Sequence, residues 1–344
     1  MRISKNIISS VVKLIWMTIL FFSVFTKVVF AADGTIEQIK KIEGDALGFL
    51  LKEDFSALNA MAAEYNNSKS RLPDGRWKLT FVFSNLEGGI GKHDDAAWKA
   101  RLGLIEKWIS KTPSDSTPYL AKADALVGYA WDARGGGYAN TVKETDWQTF
   151  KKRISDARSV LENAPPSAKN SVQWYDTMQS IALAQAWPMD EYGKLFQEAV
   201  SKEPTYYFFY FNAATYFLPR WHGDAQQLAQ FVEYAVESSK SREGQTLYAR
   251  IYWSQLGLLG NDTFAPGYAQ WSRMRQGFKD IVKSYPDNWN INAFVYYACM
   301  AGDYETVGQV APKITNIEID LWSNPAKYTG CLDRAKNSRK ASSM

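Results

Sequence analysis

Five prolines in this chain share one upstream pattern, with a small or apolar residue standing five and eight positions before each. Ile105 and Trp108 precede Pro113, Ala157 and Val160 precede Pro165, and Phe196 and Ala199 precede Pro204. Phe278 and Ile281 precede Pro286, and Tyr304 and Val307 precede Pro312. Residues three apart lie on one face of a helix. Proline, with no N–H and a fixed φ, stops the helix soon after. A chain built this way is constrained to a succession of helices, each offering an apolar stripe to its neighbours and each cut off at a set distance beyond it.

The periodicity between these prolines agrees. Thr117-Pro118 supplies an N-cap and a first-turn proline, Tyr119, Ala123, Leu126, Val127, Ala130 and Trp131 make one stripe, and Gly135 ends the helix. Trp147, Phe150, Ile154, Ala157 and Leu161 recur on one face of the next. Further helices are predicted near 35–51, 54–66, 94–111, 168–187, 189–202, 205–218, 224–240, 243–259, 267–285, 289–301 and 303–314. Leu72-Pro73-Asp74-Gly75 reads as a turn, and the alternation of Trp77, Leu79, Phe81 and Phe83 after it predicts a strand or hairpin. The expected fold is all-α: antiparallel helical hairpins stacked as a divergent tetratricopeptide-like α-solenoid, with one short β element near 72–83. Ala301-Gly302-Asp303-Tyr304 suits the turn inside such a repeat. The uneven spacing of the prolines also suits a generic all-helical domain.

Residues 1–31 read as a secretory signal. Arg2, Lys5 and Lys13 form a basic start, Leu14 to Phe25 an apolar core, and Val29-Phe30-Ala31 a peptidase site, with cleavage expected after Ala31. An uncleaved membrane anchor is the alternative, since Ile7 to Ala31 is long enough to span. Lys13 and Lys27 oppose it, because a charge near mid-bilayer costs about 3 kcal/mol. Residues 32–330 then form a single helical-repeat domain, followed by the terminal helix end and basic tail over 331–344. The leader carries four bases and no acid, leaving 40 − 4 = 36 bases against 36 acids. That neutrality gives no reason to expect nucleic acid as a partner, and membrane contact is expected only through an uncleaved N-terminal segment. Cys299 and Cys331 are a candidate disulfide between the last hairpin and the terminal helix, with two buried free thiols as the alternative. Without a nearby His they make a poor zinc site.

Tyr129 to Val142 is richer than a joint between two helices requires, with three glycines flanked by Trp131, Asp132, Arg134 and Tyr138. If the proline-ended helices alternate with partners, the turns leading into them share one edge of the stack. That edge also carries Trp187 in Trp187-Pro188-Met189, and Arg220, Trp221 and His222 in Pro219–Gly223. Hairpins stack roughly 10 Å apart, which puts the outer two turns on the order of 20 Å from one another.

Catalytic signals are sparse. His93-Asp94-Asp95 could ligate a metal but precedes a helix, where Asp caps the end. His222, with Arg220 and Asp224 near it, could serve as a general base, although Asp224 is placed to cap the following helix. Gly135-Gly136-Gly137 follows a helix and so lacks the N-terminal amides that hold phosphate. Arg134 at a helix C-terminus is favoured by the dipole, by about 0.3–1 kcal/mol, and could pair with Asp132 or stack on Trp131.

Tyr129-Ala130-Trp131-Asp132-Ala133-Arg134-Gly135, with Pro219-Arg220-Trp221-His222-Gly223 some ninety residues later, resembles a bacterial family known as domain of unknown function 4034. Asp54-Phe55-Ser56-Ala57-Leu58, Asp74-Gly75-Arg76-Trp77-Lys78-Leu79 and the late Ala-Gly-Asp extend the resemblance over most of the chain. It implies a helical-repeat fold in exported or envelope-associated proteins of the bacterial periplasm. It carries no established activity, so no catalytic residue and no cofactor follow from it. The function expected is an exported binding or scaffold protein that recognises a protein or peptide through an aromatic and Arg-rich edge or a concave groove. The alternative is an envelope glycan-acting hydrolase or lyase with two carboxylates across a cleft. Asp132 and Asp224 are the only pair to nominate for it, and the expected spacing sets them too far apart.

Overall fold

The computed structural model describes residues 34–87, 91–137 and 139–342, so the signal segment and Tyr138 lie outside it. Among the described residues the chain forms seventeen α-helices and no sheet. The first five are α1 (Thr35–Leu51), α2 (Phe55–Ser68), α3 (Lys78–Glu87), α4 (Asp95–Lys111) and α5 (Thr117–Arg134). There follow α6 (Glu144–Glu162), α7 (Val172–Ala184), α8 (Met189–Lys202), α9 (Tyr207–Tyr216), α10 (Ala225–Glu243) and α11 (Thr246–Ser254). The last are the single turn α12 (Leu256–Leu259), α13 (Trp271–Ser284), α14 (Asn288–Met300), α15 (Tyr304–Val310), the single turn α16 (Ile319–Trp322) and α17 (Pro325–Ser342). No helix among the described residues is long and apolar enough to cross a membrane.

Local chemistry sets the helix ends. The carboxylates of Asp54, Asp94, Asp224 and Asp303 each accept a backbone N–H three residues on, and Asp287 does so two residues on. A cap of this kind stabilises by about 1 kcal/mol. Helices α4, α6, α8 and α13 stop two or three residues before Pro113, Pro165, Pro204 and Pro286. Pro312 instead sits inside the 3-10 turn Ala311–Lys313 that prolongs α15.

Two kinds of helix alternate from α5 onward. Helices α7, α9, α11 and α14 are buried nearly all round, whereas α6, α8, α10 and α13 bury one stripe. The residues ahead of each proline belong to that stripe, as Phe196, Ala199, Phe278 and Ile281 illustrate. From α5 onward the long helices pack on the next and commonly on the next but one, so α5 meets α6 and α7, α7 meets α8 and α9, and α11 meets α13. Gly277 permits the last of these approaches, because a Cβ there would lie 2.5 Å from the carbonyl oxygen of Gln245 and 2.7 Å from Ala249 Cβ. A disulfide joins Cys299 in α14 to Cys331 in α17 across a Cα–Cα distance of 6.0 Å.

The short β element expected over 72–83 is corrected to a turn and a helix. One isolated antiparallel bridge pairs Arg71 with Trp77, and α3 begins at Lys78. Alternation of Trp77, Leu79, Phe81 and Phe83 coincided with a helical stripe of Leu79, Val82, Phe83 and Leu86, each no more than 1% exposed. With Phe81 buried as well, α3 is apolar on most of its circumference, and such a segment has no period that separates helix from strand.

The turn preceding α3 is wedged among later helices. Asp74 N–H donates to Thr35 Oγ1 at 3.1 Å, and the Asp74 carbonyl accepts from Arg250 Nη2 in α11 at 2.6 Å and Asn290 Nδ2 in α14 at 3.2 Å. Arg71 donates to the carbonyls of Gly75 and Thr205, at 2.6 and 3.2 Å. Contact between α1 and α14 completes this meeting of early and late segments.

Candidate functional site

The sequence-predicted turns meet one another. Trp131 and Trp221 stand edge to face with ring centroids 5.5 Å apart. Arg134 lies over three indoles, 5.4 Å from Trp131, 5.0 Å from Trp147 and 5.8 Å from Trp221. Its Nη1 donates to the carbonyls of Gly135 and Gly137, at 3.0 and 3.1 Å. Burial lowers the Arg134 pKa from its usual value, and the positive charge of Arg220 adds to the effect. The expected separation of about 20 Å is therefore corrected.

Trp187 and His222 extend the same chain of contacts. Tyr216 Oη donates to the Trp187 carbonyl at 2.8 Å, and the Tyr216 ring lies 4.9 Å from His222. His222 Nε2 is 2.9 Å from the Leu183 carbonyl. Trp187 also lines a separate cavity of about 650 Å3 with Trp174, Leu195 and Glu191. Trp131, Asp132, Arg134, Trp187, Trp221 and His222 are half-buried and Arg220 is exposed. Asp132 accepts the His93 N–H through both carboxylate oxygens, at 2.9 and 3.0 Å, and Asp224 accepts from Gln227 N–H at 2.8 Å. Both nominated carboxylates thus hold backbone amides. The cluster is a clamp between turns, with two donors left over: Arg134 Nε and Trp221 Nε1 are buried without acceptors among the described residues.

A different pair of acids interacts inside. Asp124 in α5 accepts from Thr177 Oγ1 at 3.0 Å and Gln173 Nε2 at 3.3 Å. Asp176 in α7 accepts from Tyr206 Oη at 3.0 Å and Asn212 Nδ2 at 2.5 Å. Burial, and next the charge of Asp176, push the Asp124 pKa up to about 7. Burial pushes Asp176 up to about 6 against the pull of its two donors.

The site that the sequence did not disclose lies where the 71–77 turn meets α9, α11 and α14. Phe208, Phe211, Trp253 and Trp289 wall a cavity of about 220 Å3, and Asp74, Arg76, Arg250 and Ser254 complete its lining. The four rings are partly exposed, so the cavity opens to solvent. Arg76 is neutralised by Asp74 through Nε–Oδ2 at 2.5 Å. Arg250 is only 3% exposed and, among the described residues, has no acidic partner. Its Nη2 holds the Asp74 carbonyl, its guanidinium lies 4.5 Å from the Tyr207 ring and 5.7 Å from Tyr285, and its buried Nε lacks an acceptor among the described residues. Leaving a buried charged donor unpaired costs on the order of 1–3 kcal/mol or more. Burial pushes the Tyr207 hydroxyl pKa up, opposed by the charge of Arg250. Comparison with protein-family models, with curated proteins and with solved structures gives no match to this chain.

Proposed function

We propose that this chain is an exported, envelope-resident helical-repeat protein that binds a protein or peptide partner on the face formed by α9, α11 and α14. Its helices are then stacked hairpins of a divergent tetratricopeptide-like solenoid, in keeping with the resemblance to domain of unknown function 4034. One observation carries the proposal: four partly exposed aromatic rings surround an open cavity beside a buried arginine. Aromatic and arginine side chains in desolvated pockets anchor most protein interfaces. The edge cluster of Trp131, Arg134 and Trp221 positions the turns and contributes a second, smaller contact.

Selection of a displayed random-peptide library on the folded protein tests the proposal. Enriched peptides whose binding is lost in Trp253→Ala support it. No enrichment, or enrichment indifferent to Trp253→Ala, overturns it. N-terminal sequencing of protein recovered from the envelope should begin at Ala32 if the leader is removed.

A second interpretation, a glycan-acting hydrolase or lyase, would need two carboxylates across a cleft, and the interacting pair, Asp124 and Asp176, is engaged by protein donors inside the fold. It requires Asp124→Asn to abolish turnover of an envelope glycan.

A further inference from the structure

We propose that the cavity at Arg250 binds a single carboxylate carried next to an apolar, ring-bearing group, with Arg250 as its anchor. This rests on the binding function proposed above and assigns the chemistry of its occupant.

Charge selects a monoanion. The lining holds Arg76, Arg250 and Asp74, and the Asp74–Arg76 ion pair leaves one positive charge in excess, 2 − 1 = +1. One uncompensated guanidinium, 97% withdrawn from solvent, matches a carboxylate better than a doubly charged phosphate. Arg250 is held by the rings of Tyr207 and Tyr285 and by the Asp74 carbonyl, so it needs little reordering to receive an acceptor. Its Nε is closed off from solvent and has no acceptor among the described residues, so an occupant meets Arg250 only where the side chain lines the cavity.

Shape selects what carries the charge. About 220 Å3 is below the span of roughly 300–1,000 Å3 typical of sites for drug-sized ligands, and it suits one side chain. Trp253 and Trp289, stacked with centroids 6.1 Å apart, and Phe208 and Phe211 offer ring faces and edges. Two sources have this chemistry: the C-terminal residue of a peptide, and a small free acid.

Calorimetric titration with N-acetyl-phenylalanine and with a tetrapeptide ending in phenylalanine, each as free acid and as amide, tests the proposal and separates the sources. The free acids bind roughly ten- to a hundredfold tighter than the amides, the factor expected for a charge-assisted hydrogen bond. Tighter binding of the tetrapeptide acid than of the N-acetyl acid assigns the peptide source, and equal binding assigns the small acid. Arg250→Gln removes the preference for the acid. Because Arg250 also holds the Asp74 turn, Ser254→Glu serves as a second variant: it keeps Arg250, adds a competing carboxylate to the lining, and weakens the free acids by a similar factor. Acid and amide binding alike overturns the carboxylate assignment and leaves the binding function standing. Binding of neither overturns the assignment too, while the library selection judges the binding function separately.

Discussion

Arg250 donates to the main-chain carbonyl of Asp74, 176 residues earlier in the chain, at 2.6 Å. The bond fixes the early turn against α11, and Arg250 is also among the residues that line the cavity. Fold and candidate site therefore share one side chain.

That relationship depends on Gly75. Its φ is +96°, and a Cβ would lie 2.8 Å from the Tyr285 ring and 3.0 Å from Arg250 Nη2. Gly75→Ala is expected to lose about 1–3 kcal/mol, from left-handed strain and from displacement of Tyr285. Gly136→Ala is the control, since nothing lies within 4 Å of its Cβ position and its φ is not in that region. Urea unfolding of the two variants checks the expectation, and equal midpoints would refute it.

The Arg134 clamp predicts a stability effect that is separate from ligand binding. Arg134→Ala removes a cation held among three indoles and two carbonyl contacts, and should cost about 1–3 kcal/mol. Arg220, exposed and 5.7 Å from the Trp221 ring, should cost about 0.5 kcal/mol or less on the same change. A double-mutant cycle between Trp131 and Trp221 should return a coupling of about 0.5–1.5 kcal/mol. Additive losses would show that the two turns do not support one another.

Helices with one apolar stripe were legible because their period survives in sequence, as in Trp147, Phe150, Ile154 and Leu161. Helix α3 was not, because burial on most sides erased the period. Trp131, Arg134 and Trp221 stand out in the sequence by their residue types, but their mutual contact depends on turn lengths that no local pattern encodes. Arg250 left a faint trace: a lone charge in Thr246–Ser254, where Leu247, Tyr248, Ala249, Ile251 and Tyr252 are all buried. A cation embedded in such a run is a reason to look for an anion. The Asp74 carbonyl and the Tyr207 and Tyr285 rings that hold Arg250 come from three separate segments, so only the folded chain assembles the cavity.

The Cys299–Cys331 bond closes a loop of 32 residues between α14 and α17. In the chain-entropy model a loop of that size stabilises by roughly 3–4 kcal/mol. Helix α17 packs on α15, and the lost bond should loosen this terminal region first. Cys331→Ser, or reduction by dithiothreitol, should lower the melting temperature and increase amide exchange in α15 and α17 before other helices. An unchanged melt under reduction would show that the bond contributes nothing to stability.

The Asp124–Asp176 pair makes stability fall as pH rises. Both carboxyls titrate above their unfolded value of about 3.9, at about 7 and about 6. Below pH ~4 both are protonated in either state and the contribution to stability is fully present. As pH rises through the folded values the unfolded chain sheds these protons more readily, and stability is lost. Burial raises Glu318 in the same direction, whereas Asp303 and Glu203 are held low by their donors and act only in more acidic solution. The melting temperature should therefore fall from pH 5 to pH 8. Asp124→Asn, which retains an acceptor for Thr177 and Gln173, should flatten that fall and raise stability at pH 8. Parallel profiles for the variant and the parent would rule out the pair as the cause.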